Sequence, residues 1–301
     1  MARARAWLLN FDAEDELSRG ASHSSSRAVL ARFAALAERV GPLLAPGDVI
    51  VDGGLDPASH KPLAPGLFSG RAWCPTPGAR RLLARASVTL PDAPGPSVLR
   101  RVNHRRFCAD LGQTLPGARY VDTMDNVVAI VNTPSHSGPW LLKRPFGFAG
   151  RGRKLLRPGP LDAADRPWIE ASIAAGEGLQ IEPWVDLAAD FGLHGFLAAS
   201  GALALGAPTL QRTDATGAWL ASVRATPADL SSEEERALFE AAEATAAALR
   251  EASYFGPFGV DAFRWLDVDG ARRWNPRGEI NARYSMGWAV GMGADRPDLD
   301  E

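Results

Sequence analysis

The stretch Leu141 to Leu156, LLKRPFGFAGRGRKLL, ends an apolar run on Lys143 and follows it with Gly147, Gly150 and Gly152 before a second basic run. Glycines let backbone amides approach an anion closely, and a fixed ammonium offers phosphate a point charge. The order is not that of a G-x-x-x-x-G-K-[ST] P-loop, because Arg153 and Lys154 follow Gly152, and the loop carries no G-x-G-x-x-G fingerprint. Taken alone, it reads equally as a phosphate grip and as a solvated basic hairpin.

A second group lies near the C-terminus, in GVDAF and GEINARYSMG. If Arg273 to Arg283 is extended, alternation puts Glu279, Asn281 and Arg283 on one face and Ile280 and Ala282 on the other. Asp261 lies between apolar Val260 and Ala262 on the strand expected to pair with it. Two carboxylates and an amide oxygen on adjacent strands make an oxygen-only set suited to a hard cation such as Mg²⁺. Magnesium takes few protein ligands and completes its shell with phosphate oxygens, which agrees with a phosphate-gripping loop. Arg283 is placed to hold a substrate or a developing oxyanion. Read in isolation, Glu279 and Arg283 would be an exposed pair of little energetic weight.

These residues need elements to position them. Ala6 to Asn10 and Asp48 to Asp52 read as buried strands, with a helix over Ser25 to Leu44 between them, the alternation of a parallel α/β unit. Pro91 to Pro96 is the linker expected to close it. Beyond it, Val102 to Leu111 reads as a short basic helix, and Val127 to Val131 and Trp140 to Lys143 as strands. Leu179 to Val185 and Phe191 to Ala199 read as one strand interrupted at Pro183. Ser231 to Arg250 is a helix opened by capping-box spacing and an acidic first turn. Phe258 to Leu266 and Arg273 to Ala282 form a hairpin around Asp267 to Gly270.

Lys143 with its glycine loop, then QIEPWV, then the long helix, then GVDAF and GEINARYSMG closely resemble the ATP-grasp superfamily. The motifs are most similar to its biotin carboxylase and carbamoyl phosphate synthetase branch, over about Val98 to Gly287. The resemblance implies two α+β subdomains gripping ATP behind a small Rossmann-like α/β domain. The expected boundaries are 1–97 for that first domain and 98–301 for the ATP-grasp domain, with a lid subdomain at about 121–180 and a catalytic subdomain at about 181–301. It further implies that Lys143, Gly147, Gly150, Arg151 and Gly152 cover the phosphates. Glu182 would accept from the adenine amino group, the backbone of Trp184 and Val185 would meet the ring edge, and Asp190 the ribose. Asp261, Glu279 and Asn281 match the magnesium ligands, with Mn²⁺ as a substitute, and Arg283 and Lys143 take the catalytic roles. The implied reaction joins a carboxylate to an amine through an acyl phosphate, releasing ADP and phosphate. A small-molecule kinase on the same fold and a non-catalytic nucleotide-binding module are the alternatives.

The sequence departs from the family in places. An upstream lysine is replaced in VNHRRF by Arg105 or, as second choice, Arg106. The first metal ligand is an aspartate, Asp261, where the branch more usually has glutamate. Only 14 residues follow Gly287, so the C-terminal domain and activity of biotin carboxylase are not expected here.

Composition narrows the partners. A formal net charge of −2 removes the global electrostatic reason to expect nucleic acid or an anionic membrane. The longest near-apolar run, Phe196 to Ala207, is shorter than the ~20 residues of a spanning helix, and no signal peptide is readable. Small-molecule or peptide carboxylate and amine substrates and a cytoplasmic setting are expected, with a homodimer left open. Thirty arginines stand against three lysines, Lys61, Lys143 and Lys154, which draws attention to the last two. His104, His136 and His194 lack metal spacing and read as core or surface histidines. Cys108 reads as a small buried hydrophobe. Trp265, Trp274 and Trp288 serve packing or a pocket wall, and Arg212 a substrate carboxylate or a surface ion pair.

Overall fold

The computed structural model describes residues 4–51, 63–64, 66–112, 115–147, 151–213 and 219–299; Lys61 and Gly150 lie outside them. The chain opens with β1 (Ala4–Leu8), α1 (Ala13–Arg19), α2 (Arg27–Arg39), β2 (Val49–Ile50), β3 (Phe68–Ala72) and α3 (Pro77–Arg85). The three strands are parallel in the order β2-β1-β3, the α/β unit expected from the sequence. α2 starts where the Ser26 side chain accepts from the Val29 amide, and it stops before Gly41-Pro42, which starts a turn of 3-10 helix at Gly41–Leu43.

Two short helices follow, α4 (Pro96–Val102) and α5 (Arg105–Asp110), where one was expected. The break is at Asn103-His104, where the His104 ring caps α5 by accepting from the Arg106 amide. A four-stranded antiparallel sheet comes next: β4 (Arg119–Val121), β5 (Trp140–Lys143), β6 (Arg153–Leu156) and β7 (Leu179–Pro183), in the order β4-β7-β5-β6. It is backed by α6 (Met124–Val131) and α7 (Arg166–Ala174). The strand expected over Val127 to Val131 is therefore a helix. Thr123 caps it, and Val127 and Val131, four apart, are both fully buried while Ala129 is exposed. A short apolar run does not distinguish the two periods; the cap and the one-sided burial do.

The largest sheet contains β8 (Asp186–Leu197), β9 (Leu203–Leu205), β10 (Thr209–Thr213), β11 (Trp219–Arg224), β12 (Gly256–Leu266) and β13 (Arg272–Asn281). Its path is β11-β10-β8-β12-β13, with β9 against β8. On one face Phe191, Leu193, Val260, Ala262 and Ile280 join Leu238, Ala242, Ala246 and Leu249 of α8 (Ser232–Glu251) in the core. Each fully buried leucine on that seam contributes roughly 1.5–3 kcal/mol of transfer free energy. Alternation then leaves Asp190, Asp261 and Glu279 for the opposite face. The chain ends with α9 (Trp288–Met292).

The core under the large sheet continues into the first α/β unit. Tyr284 packs edge-on against Trp7 at 5.1 Å and Trp288 at 4.9 Å, and its amide donates to the Trp73 carbonyl at 3.1 Å. Among the described residues, no helix is long and apolar enough to cross a membrane.

Candidate functional site

Asp261 on β12 stands in register with Glu279 on β13 and with Gly192 on β8. Two positions further along β12, Phe263 pairs with Asn275, so Pro276, Arg277 and Gly278 bulge between the two pairings. Gly278 is required there, because a Cβ would lie 2.7 Å from the Phe263 ring. Asn281 Nδ2 donates to Asp261 Oδ2 at 2.8 Å, which keeps the amide oxygen for another partner.

Burial, then the charge of Glu279, push the Asp261 carboxyl up to about 7, against the pull of Asn281 and Arg283. Glu279, whose charge opposes the ionisation of Asp261, and Asp261 itself stand beside the Asn281 amide oxygen as an oxygen donor set suited to a hard cation. Among the described residues no three His, Cys, Asp or Glu side chains cluster at metal-binding range. The set of Asp261, Glu279 and Asn281 fits Mg²⁺ or Mn²⁺, which take few protein carboxylates.

Two cations face this set. Arg105 Nη1 is 2.7 Å from Glu279 Oε2, while its Nε donates to the Arg144 carbonyl at 3.0 Å and its amide to that of Pro145 at 3.1 Å. Burial works against the charge of Glu279, but Arg105 and then Lys143 outweigh it and lower its pKa. Of the two candidate arginines, Arg105 is the one that meets this carboxylate set. Arg106 turns away, to Asp122 at 3.3 Å and over the Tyr120 ring at 4.5 Å.

Lys143, at the end of β5, forms an ion pair with Glu182 on the neighbouring β7. The other Glu182 oxygen accepts from Gln180 Nε2 at 2.9 Å. The carboxylate expected to meet an adenine amino group is thus already held by two donors. Lys154 is not part of the group: it pairs with Asp165 at 2.5 Å, before α7, and lies 5.9 Å from the Trp168 ring.

The glycine loop closes on itself at both ends. The Arg144 amide donates to the Gly152 carbonyl at 2.7 Å, and Gly152 has φ +71°. A Cβ on Gly147 would lie 2.5 Å from the Arg151 carbonyl oxygen. Arg151 lies in the turn back to β6, and Gly150 falls outside the described residues.

Trp184 and Val185 connect β7 to β8. The Trp184 amide donates to the Pro139 carbonyl at 3.0 Å, so the expectation for its backbone narrows to the carbonyl. Asp190, in register with Phe263 and Gln211, shares the sheet face of Asp261; burial raises its pKa, and its charge raises that of Asp261.

Arg283 lies beyond the end of β13, not within it, and its guanidinium meets Glu14 of α1. Burial opposes its charge and Glu14 more than offsets this, so its pKa is raised. Two residues went unread in the sequence. Glu14 was hidden in the acidic run DAEDE. Asn103 precedes the HRR run, and its Oδ1 accepts from the Ala282 amide at 3.1 Å while its Nδ2 donates to the Ala282 carbonyl at 3.3 Å. Asn103 thereby fixes the backbone between Asn281 and Arg283. His104 binds Glu177; Cys108 is buried, as expected of a small hydrophobe, and so is Cys74, and burial is the chief cause that pushes both thiols upward.

Neither family models nor curated proteins match the chain. Solved structures do. An ADP complex of PurK, an N5-carboxyaminoimidazole ribonucleotide synthetase, is 16% identical over 94% of this chain and 71% of its own, with a TM-score of 0.51. The corresponding synthetase of Thermus thermophilus is 20% identical over 93% of this chain and 71% of its own, at TM-score 0.51. D-alanyl-alanine synthetase A of Vibrio cholerae is 14% identical over 94% of this chain and 89% of its own, also at 0.51. The architecture shared with these structures is the ATP-grasp fold, and this chain has it.

Proposed function

We propose that the protein is an ATP-dependent ligase that joins a carboxylate to an amine through an acyl phosphate and releases ADP and phosphate. The observation that carries the reading is the Asp261–Glu279 pair with Asn281, faced by Arg105 and Lys143. The chemistry for which the similar structures are named, one of them an ADP complex, supports it.

Asp261, Glu279 and Asn281 would hold Mg²⁺, which supplies neutralisation of the charge that builds on the phosphates during transfer. Arg105 and Lys143 contribute fixed positive charge to the same phosphates, with Gly147, Arg151 and Gly152 of the glycine loop assigned beside them. Arg283 steadies the carboxylate that attacks the γ-phosphorus. An amine then attacks the activated carbonyl and displaces phosphate. The acyl phosphate must be kept from water, which would otherwise hydrolyse it. The module is taken as 98–301, behind the α/β unit of 1–97.

Calorimetry with Mg·ATP on the wild type and on Glu279→Ala tests the reading. Magnesium-dependent binding, weakened by the substitution, is expected. A wild type that binds no Mg·ATP overturns it. With candidate carboxylates, trapping by hydroxylamine then separates a ligase from a kinase, because an acyl phosphate yields a hydroxamate and a phosphorylated alcohol does not.

A further inference from the structure

His194 lies within β8, 2% exposed, and belongs to neither the nucleotide nor the metal residues. Glycines make room for its ring. A Cβ on Gly287 would stand 2.6 Å from Nε2, one on Gly291 2.7 Å from Cδ2, and one on Gly259 3.0 Å from Nδ1. A buried polar ring is costly unless its nitrogens are bonded, and both are. Ser285 Oγ is 3.0 Å from Nδ1 and Thr209 Oγ1 is 3.2 Å from Nε2.

The hydrogen-bond directions follow from counting protons. Thr209 has one hydroxyl proton, and it goes to the Gly192 carbonyl at 3.1 Å. Thr209 therefore accepts from His194, which puts the ring proton on Nε2 and makes Nδ1 an acceptor. Ser285 must then give its own proton to Nδ1, so that its oxygen meets any other partner only as an acceptor. Burial lowers the His194 pKa to about 4, which keeps Nδ1 unprotonated at neutral pH.

Ser285 also lines a cavity of about 210 Å³ with Leu43, Trp219, Ser222, Met286 and Val290. Among the described lining residues the one charged side chain is Arg39, so no carboxylate is there to hold an ammonium. A neutral amine is the form such a wall admits, and it is also the form whose lone pair attacks a carbonyl.

We propose that this cavity receives the amine acceptor in its uncharged form, with Ser285 accepting a hydrogen bond from its N–H and His194 holding Ser285 to that role. The proposal rests on the ligase reading above, and assigns the class of its second substrate: a primary amine on a compact apolar body.

Aniline, uncharged at neutral pH, and toluene, which has its shape without the N–H groups, are the probes. Both are titrated by calorimetry into the full chain and into Ser285→Ala. The affinity ratio of aniline to toluene is expected to fall about fivefold in the variant, the worth of one neutral hydrogen bond. An unchanged ratio, or no aniline binding to the wild type, overturns the proposal. Histidine ¹⁵N spectra give an independent reading: a proton on His194 Nε2 is expected, and a proton on Nδ1 overturns the assigned role of Ser285. Mg·ATP calorimetry on the same sample keeps the two readings apart. A chain that binds no Mg·ATP but keeps the aniline preference overturns the ligase reading and supports the amine site.

Discussion

Arg283 and Glu14 lie 269 positions apart in the chain, yet the guanidinium Nε and Nη2 both meet one oxygen of the Glu14 carboxylate. Nη1 donates to the Tyr284 carbonyl at 2.8 Å, and the second Glu14 oxygen is buried with no hydrogen-bond partner among the described residues. The arginine assigned to the substrate is thus set in place by the first α/β unit. On the proposed function, a substrate carboxylate arriving at Arg283 would share the cation with Glu14.

Removing one partner of such a pair leaves the other charge buried and uncompensated. The side chains of Arg283 and Glu14 are 11% and 6% exposed, so Glu14→Ala is expected to cost about 3 kcal/mol. Adding Arg283→Met should restore part of that loss, because the stranded charge disappears with it. Urea denaturation of the wild type, both single variants and the double variant measures the coupling.

The two adjacent arginines should behave differently toward nucleotide. Arg105→Ala removes the cation beside Glu279 and is expected to weaken Mg·ATP binding by about tenfold or more, the worth of a charge-assisted hydrogen bond. Arg106→Ala, which frees Asp122 at the surface, should leave affinity within about twofold. Isothermal titration of both variants checks the contrast.

Acid should loosen the junction between α8 and β12. Glu234 accepts from Arg264 Nε at 2.8 Å and Nη2 at 2.7 Å, and its oxygen also accepts from the Ser231 amide at 2.9 Å. The Arg264 hydrogen bonds first, then those from Ser231, hold its carboxyl down to about 2 despite partial burial. A folded pKa below the unfolded one gives stability that is complete above the unfolded value, near 4.5, and is lost as pH falls toward 2. Thermal unfolding from pH 5 to pH 2 should therefore show a steeper decline for wild type than for Glu234→Gln.

His194 acts in a higher window. Its folded pKa of about 4 lies below the ordinary 6.5, so the unfolded chain binds the extra proton between those values. The neutral ring's contribution is complete above pH 6.5 and falls away as the pH drops to 4, by about 3 kcal/mol in all. In urea unfolding, His194→Gln should flatten the stability profile between pH 6.5 and 4 and leave its shape below pH 4 unchanged.

Much of the candidate site's local geometry was legible because short-range patterns fix it. Strand alternation set Asp261 and Glu279 facing the same way, and the structure pairs them in register. The Ser231 capping box and the Trp140–Lys143 strand have the expected bounds. The helix at Met124–Val131 was misread because Val and Ile favour strands and the deciding cap, Thr123, is a single residue. The sequence puts Arg105 before Arg106 only by motif position, since neighbours on a helix point about 100° apart; the fold turns Arg105 to Glu279 and Arg106 to Asp122.

By itself the sequence determined which residue types stand at which intervals, and so several of the strands, the caps, the glycine turns and the alternation that groups Asp261, Glu279 and Asn281 as a candidate oxygen set. Only the tertiary structure decided the pairings across long separations: Arg283 with Glu14, Arg105 with Glu279, Asn103 with the Ala282 backbone, and Ser285 with His194. The physical reason is that periodicity encodes which side of an element is buried, whereas ion pairs and hydrogen bonds act over a few ångströms and carry no trace in the sequence of the partner they will meet.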